Sequence, residues 1–279
     1  MIHKRIRCFE VVAMSLFTAL TCGCDMSFHT IREDDTITEP YRHGSIEPTS
    51  QVEYNSKGAV FTVNGVKFTM INVEGGTFLM GVSDEDYYAL TSMWSSPAPL
   101  HAVTLSSYQI GQTEVTNELW YALMPKDDAY DEGCGTKPQS HSYYECEEFI
   151  EKLNSITNQK FRFPTDAEWE YAARGGKYSN GYVFAGSNNI DDVAWYSYNS
   201  TDFMDVALKR PNELGLYDMT GNESEWCLDI STGYSVARGG DIYDEEGHSY
   251  VWNHKNTDDG YPYALRLVLP TTDDDTPNY

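Results

Sequence analysis

The sequence predicts an α+β fold: a single domain with much irregular backbone and only a few short helices. Three observations carry this. Alternating apolar runs close on Asn64-Gly65, a pair that tolerates positive φ at both turn positions. Two capping boxes, Ser142-Tyr143-Tyr144-Glu145 and Thr165-Asp166-Ala167-Glu168, each open a helical pattern. After Gly176 the chain is rich in Gly, Asn, Asp, Ser, Tyr and Trp and supports short strands at most.

In chain order, Val60–Val63 and Val66–Met70 form the hairpin around Asn64-Gly65. A second strand pair is expected around Gly75-Gly76, with Ile71–Val73 leading in and Thr77–Met80 leading out. His101–Leu105 alternates polar and apolar residues and reads as a strand. Thr116 caps a short helix over Asn117–Met124, stopped by Pro125. Cys146, Phe149, Ile150, Leu153 and Ile156 keep helical spacing after the first capping box. The second box opens Ala167–Arg174, which Gly175-Gly176 terminates.

The ends read differently. Lys4, Arg5 and Arg7 precede an apolar stretch from Val11 to Leu20, too short for the roughly 20 residues that cross a bilayer. The stretch runs into Thr21-Cys22-Gly23-Cys24, which resembles a bacterial lipoprotein signal, cut before a cysteine that is then lipid-modified. Cys24, preceded by glycine, is the first choice as the lipidated residue and Cys22 the second. The expected organisation is a signal over 1–23, a flexible tether over 24–57, a domain over 58–270 and an acidic disordered tail over 271–279. It places the protein in a bacterial cell envelope, anchored to a membrane, with the outer membrane or cell surface preferred.

The chain of 279 residues carries 43 acidic and 19 basic side chains. Loss of the signal removes Lys4, Arg5, Arg7 and Glu10 and moves the formal charge from −24 to −26. Such a surface repels phosphate backbones, and no Lys/Arg stripe offsets it, so nucleic acid is excluded as a partner. The same field attracts divalent cations.

Several stretches together resemble the formylglycine-generating-enzyme, or sulfatase-modifying-factor, family. They are Val73–Gly81, His101–Leu105, Glu114–Asn117, the long block Phe161–Gly176, Pro211–Met219, Gly221-Asn222 with Glu225-Trp226-Cys227, and Arg238-Gly239-Gly240. The resemblance covers about Val60 to Leu269 and implies one α+β domain distantly similar to C-type lectins. Enzymes of the family oxidise a client cysteine to formylglycine with a copper ion held by two thiolates. These lie between the Arg-Gly-Gly motif and a closing Gly-Phe-Arg. Here Asp241–Leu265 contains no cysteine, only His248 and His254. Copper is therefore not expected, because copper(I) wants soft ligands. Other departures adjoin it: Asp241-Ile242 after Arg-Gly-Gly, Glu223-Ser224 within the Gly-Asn-x-x-Glu-Trp motif, and Ala264-Leu265-Arg266 at the close.

The resemblance also implies structural calcium, with Asn222 and Glu225 as oxygen ligands and Asp192 as a weaker candidate for a second site. The alternative is that Asn222 caps a turn and Glu225 pairs with an arginine. Cys134, Cys146 and Cys227 make an odd set in an oxidising compartment; Cys146–Cys227 is the first disulfide candidate and two buried thiols the alternative. His101 reads as a structural histidine. Tyr243, Tyr250, Trp252, Tyr261 and Tyr263 cluster where the ancestral active site would stand and offer a stacking face, set against the plainer reading that they fill the core. No catalytic residue is assigned. The leading reading is a non-catalytic binding or structural module for an unknown protein or glycan ligand at the envelope. An oxidase with a metal site rebuilt on His248 and His254, and a structural lipoprotein of a secretion or motility machine, stay open beside it.

Overall fold

The computed structural model describes residues 49–85, 99–126, 132–257 and 262–271, all within one compact unit, Ile46–Tyr279. The signal and Cys24, the tether as far as residue 48, Tyr261 and the tail after Thr271 lie outside the described residues. Among the described residues no helix is long and apolar enough to cross a membrane.

The chain starts with an antiparallel meander, β1 (Ser50–Asn55), β2 (Gly58–Val63) and β3 (Val66–Val73). Asn64 and Gly65 close the β2–β3 hairpin at φ 49° and 89°, the mirror-image turn that suits the twist of paired strands. β1 corrects the domain boundary, which falls near Ser50 and not at residue 58. All of its residues from Gln51 to Asn55 are exposed, so backbone pairing with β2 holds the strand without an apolar run to announce it. The strand β6 (Tyr108–Gly111) pairs with β3, and β10 (Val268–Pro270) pairs with β6, giving a five-stranded antiparallel sheet in the order β1-β2-β3-β6-β10.

The expected hairpin around Gly75-Gly76 does not form. Ile71–Val73 is the end of β3, whereas β4 (Gly76–Met80) pairs with β5 (His101–Leu105) in a separate two-stranded sheet. The glycines carry the chain from one sheet to the other. A Cβ at Gly75 would sit 2.4 Å from the Leu105 carbonyl oxygen, so the crossing demands glycine there.

Three helices follow. Thr116 caps α1 (Asn117–Tyr121), which ends before the expected Met124. Ser142 and Glu145 form the capping box of α2 (Tyr143–Thr157), which buries Cys146, Phe149, Ile150 and Leu153. Thr165 and Glu168 do the same for α3 (Asp166–Ala173), and Gly175 and Gly176 leave it at positive φ. A three-stranded sheet, β7 (Glu225–Asp229), β8 (Tyr234–Arg238) and β9 (His254–Asn256), completes the fold.

The two larger sheets separate two apolar clusters. One contains Ile71, Tyr108, Trp169, Phe184, Tyr250 and Cys227; the other contains Phe61, Met70, Trp120, Phe149, Trp226 and Cys146. Strand alternation sends Trp226 and Cys227 of β7 into opposite clusters, as it does Ala237 and Val236 of β8. Cys146 and Cys227 therefore lie on opposite sides of the β7–β8 ribbon, and the disulfide candidate is corrected to two buried thiols.

Candidate functional site

The family motifs converge on a lattice of buried charge. Arg266 is fully buried and forks onto Glu225, with Nε donating to Oε2 at 2.8 Å and Nη2 to Oε1 at 2.7 Å. Its remaining N–H groups donate to the carbonyls of Gly111 and Tyr217. The Trp169 indole also donates to Glu225, at 2.7 Å. Arg238, 1% exposed, donates to Asp166 at 2.5 Å, reaches Glu170 at 3.1 Å and donates to the carbonyls of Val251 and Asn253. Glu170 also holds Arg174 and the Gly81 amide, while Arg162 forks onto the capping-box residue Glu168. A bidentate guanidinium is the cation best able to satisfy a desolvated carboxylate.

Glu225 thus has the arginine partner, and both of its oxygens are taken. The Asn222 side chain donates to Glu114 and accepts from the Met204 amide. Asp192 accepts from Ser187 and Asn189 on a separate turn, where Arg210 lies 4.0 Å away. Asn222 and Glu225, expected at one site, thus have protein partners, and Asp192, expected at a second, is held within its own turn; among the described residues no three His, Cys, Asp or Glu side chains are placed to hold a metal ion. His101 is exposed, with its ring nitrogen on the Pro99 carbonyl.

Two carboxylates beside Arg266 are less well served. Glu114 Oε2 lies 4.0 Å from Arg266 and makes no hydrogen bond; Asp218 Oδ1 likewise has none. Burial, reinforced by the Asp218 charge, raises the Glu114 pKa well above the usual carboxylate range. Burial pushes Asp218 up to about 6.

Above this lattice stand the loops that depart from the family pattern. Asp241 and Asp244 face Lys255 from β9, and Ser224 donates to Asp241 at 3.3 Å. Burial works against the ammonium, but Asp241 and Asp244 more than offset it and hold Lys255 above its ordinary pKa. His248 Nδ1 sits 3.9 Å from Asp244, whereas His254 packs near Arg238; burial foremost, then that arginine, lowers the His254 pKa. The expected aromatic face is only partly there. Tyr250 stacks on both Trp252 and Phe184 in the core, and Tyr263 packs edge-on against Trp226. Tyr243 alone of the described four is exposed, at 61%. Its ring neighbour Phe203, 6.3 Å away, comes from a stretch that the sequence did not single out, and in the same stretch Tyr198, 75% exposed, packs on Tyr196. The Ser197 amide donates to the Asp244 carbonyl and joins the two loops. The adjacent tyrosines in Trp195-Tyr196-Ser197-Tyr198 were the available signal. A concavity of about 820 Å³ lies between β3 and the turn after α3, lined by Lys57, Asn72, Glu74, Lys177 and Glu213; Lys177 and Glu74 are paired across it.

Comparison with known proteins agrees with this geometry. The chain matches the sulfatase-modifying factor enzyme 1-like domain over residues 62–265. It is 30% identical over 176 residues to the chaperone protein LppX of Paenibacillus barcinonensis, a match covering 45% of this chain and 63% of that one. It is 28% identical over 180 residues to the serine/threonine-protein kinase Pkn1 of Chlamydia trachomatis, covering 57% of this chain and 28% of the kinase. The chain therefore spans less than two thirds of the length of either relative. Among solved structures, Treponema denticola variable protein 1 superposes with a TM-score of 0.63 at 26% identity, over 80% of this chain and 99% of that one. On the match across residues 62–265, the chain belongs to the sulfatase-modifying-factor, or formylglycine-generating-enzyme-like, domain family.

Proposed function

We propose that this protein is a lipid-anchored component of a bacterial envelope whose domain binds a protein or glycan and does not generate formylglycine. The observation that carries this is the donor set on Asp241–Leu265. Where the family resemblance places two thiolates, this chain offers Asp241, Asp244, His248 and the Lys255 ammonium. These are hard oxygens, an imidazole and a cation, and they do not fit copper(I). Two of the three described cysteines, Cys146 and Cys227, are not placed to act as a thiolate pair: they are buried in opposite clusters, and burial foremost raises both thiol pKa values. A redox role for either is disfavoured by the same burial.

The binding face in this reading is the pair of loops carrying Tyr198, Phe203 and Tyr243, flanked by the exposed acids Glu245 and Glu246. Exposed aromatic rings held by a rigid frame present contact area at low entropic cost. Calcium, if the protein takes it, is not assigned to Asn222 or Glu225, whose side chains are engaged elsewhere. Cys24 is the proposed lipid attachment point.

Co-expression with a peptide bearing a sulfatase modification motif, with copper supplied, tests the central claim by mass spectrometry. No conversion of the peptide cysteine is expected. Conversion would overturn the reading. Membrane retention lost in Cys24→Ala tests the anchor separately, and retention unchanged in that variant refutes it.

A further inference from the structure

The loop after Arg238-Gly239-Gly240 folds its two aspartates inward around Tyr243. Asp244 Oδ2 accepts the Asp241 amide at 3.0 Å, and Asp241 Oδ1 accepts the Tyr243 amide at 2.8 Å. The Oδ2 atoms of both aspartates face one ammonium. Lys255 Nζ lies 2.5 Å from Asp244 Oδ2 and 3.5 Å from Asp241 Oδ2. The Ser224 hydroxyl donates to Asp241 Oδ2 at 3.3 Å and orients that carboxylate, and His248 Nδ1 lies 3.9 Å from Asp244 Oδ1. Both carboxylates are 14% exposed, so two like charges are held together largely out of water and require a cation between them. Paired carboxylates are the hard oxygen donors that calcium or magnesium takes. Lysine suits the position better than arginine, because its ammonium is a compact point charge with three donors and not a planar fork.

We propose that Lys255 is a built-in cation: its ammonium permanently occupies a cation site formed by the carboxylates of Asp241 and Asp244, the first of them oriented by Ser224. In this role it is a positioning residue. It ties the 241–244 loop to β9, and through the Asp241–Tyr243 hydrogen bond it sets where the Tyr243 ring stands. The family departures at Asp241 and Ser224 then read as one change, because Ser224 donates to the same Asp241 oxygen that faces the ammonium. The proposal concerns how the loop is held and stands whatever the face binds.

The test is to remove the ammonium and offer the metal. In the full mature chain, Lys255→Ala is expected to take up one more divalent ion than wild type when titrated calorimetrically with Ca²⁺ or Mg²⁺. A Kd of about 10⁻⁴–10⁻³ M, typical of extracellular oxygen sites, is expected. Its thermal midpoint falls below wild type in EDTA and rises back with saturating Ca²⁺. Lys255→Arg, which keeps a cation, gains no ion, and Asp244→Asn added to Lys255→Ala abolishes the uptake. The proposal is overturned if Lys255→Ala folds and binds no more ion than wild type, or if it unfolds and Ca²⁺ does not restore it. Uptake by wild type that Asp244→Asn removes would overturn it as well.

Discussion

The buried lattice and the loops above it differ in what their charges are for. Arg238 and Arg266 are 0–1% exposed, and each is surrounded by carboxylates and backbone carbonyls drawn from distant parts of the chain. Their partners are the family motifs themselves: Asp166 and Glu170 from the α3 block, and Glu225 from Gly-Asn-x-x-Glu-Trp. The departures gather in the other region. Asp241 meets Ser224, Glu223 accepts from Ser140 at 2.5 Å, and Tyr243 projects into solvent. The motifs therefore encode a frame in which Arg238 and Arg266 are each held by carboxylates and backbone carbonyls, and they certify that frame without certifying chemistry. Catalysis in the family rests on a few thiolates carried by loops, and loops change without disturbing the lattice.

The sharpest way to break this comparison is to strip the lattice of a guanidinium. Arg266→Met leaves Glu225 buried with no counter-charge and strands Glu114 and Asp218 beside it. Removing one partner of a buried pair costs about 3–5 kcal/mol, and that loss is expected in the denaturant midpoint of unfolding. A cost under about 1 kcal/mol would mean that the lattice is not what holds the frame. Arg266→Lys is expected to recover only part, because an ammonium cannot reproduce the fork onto Glu225 together with two carbonyl contacts.

A smaller effect comes from the carboxylates that the lattice serves poorly. Asp218 titrates near 6 in the folded protein, against a lower value in the unfolded chain. A folded pKa above the unfolded one gives stability that is complete below the unfolded value and lost as pH rises through about 6. Unfolding free energy is expected to drop by roughly 2–3 kcal/mol from this group on going from acid to neutral pH. Glu114, shifted in the same direction, adds to the slope. His254 works with the opposite sign, since its lowered pKa means that stability is gained as pH rises. The diagnostic is therefore the difference between wild type and Asp218→Asn across pH. If the two curves run parallel, Asp218 does not carry the proton.

Much of the frame is legible in the sequence because it uses short-range signals. Asn64-Gly65 and the two capping boxes each specify their geometry within four residues. What escapes is set by partners far along the chain. β1 is polar and recognisable only through its pairing with β2. Gly75 looks like a turn but serves a crossing beneath the Leu105 carbonyl. Cys146 and Cys227 look like a pair until β7 alternation places them in different clusters. Glu225 and Asn222 carry oxygens that would suit calcium, and only the fold brings Arg266 and Glu114 to them. Lys255 has no pattern of its own, so its place between two aspartates cannot be read from spacing.

The loops give the smallest expected effect on stability and the largest on binding. Tyr243 is 61% exposed and Tyr198 75%, and their ring contacts are edge-on or tilted at 6.3 Å and 5.8 Å. Truncating either to alanine removes little buried area, so a change within about 0.5 kcal/mol is expected on unfolding. If these rings form the contact face, the same variants should lose capture of envelope partners by pull-down from detergent-solubilised native membranes, with the thermal midpoint unchanged. Hot-spot aromatics typically contribute 2 kcal/mol or more when truncated, about a thirtyfold loss of affinity. A loss of both stability and capture would place the tyrosines in the frame and erase the distinction between the two regions. Intact capture in the Tyr198→Ala, Tyr243→Ala double variant would move the binding face elsewhere, and the groove lined by Lys57 and Glu213 is the next surface to vary.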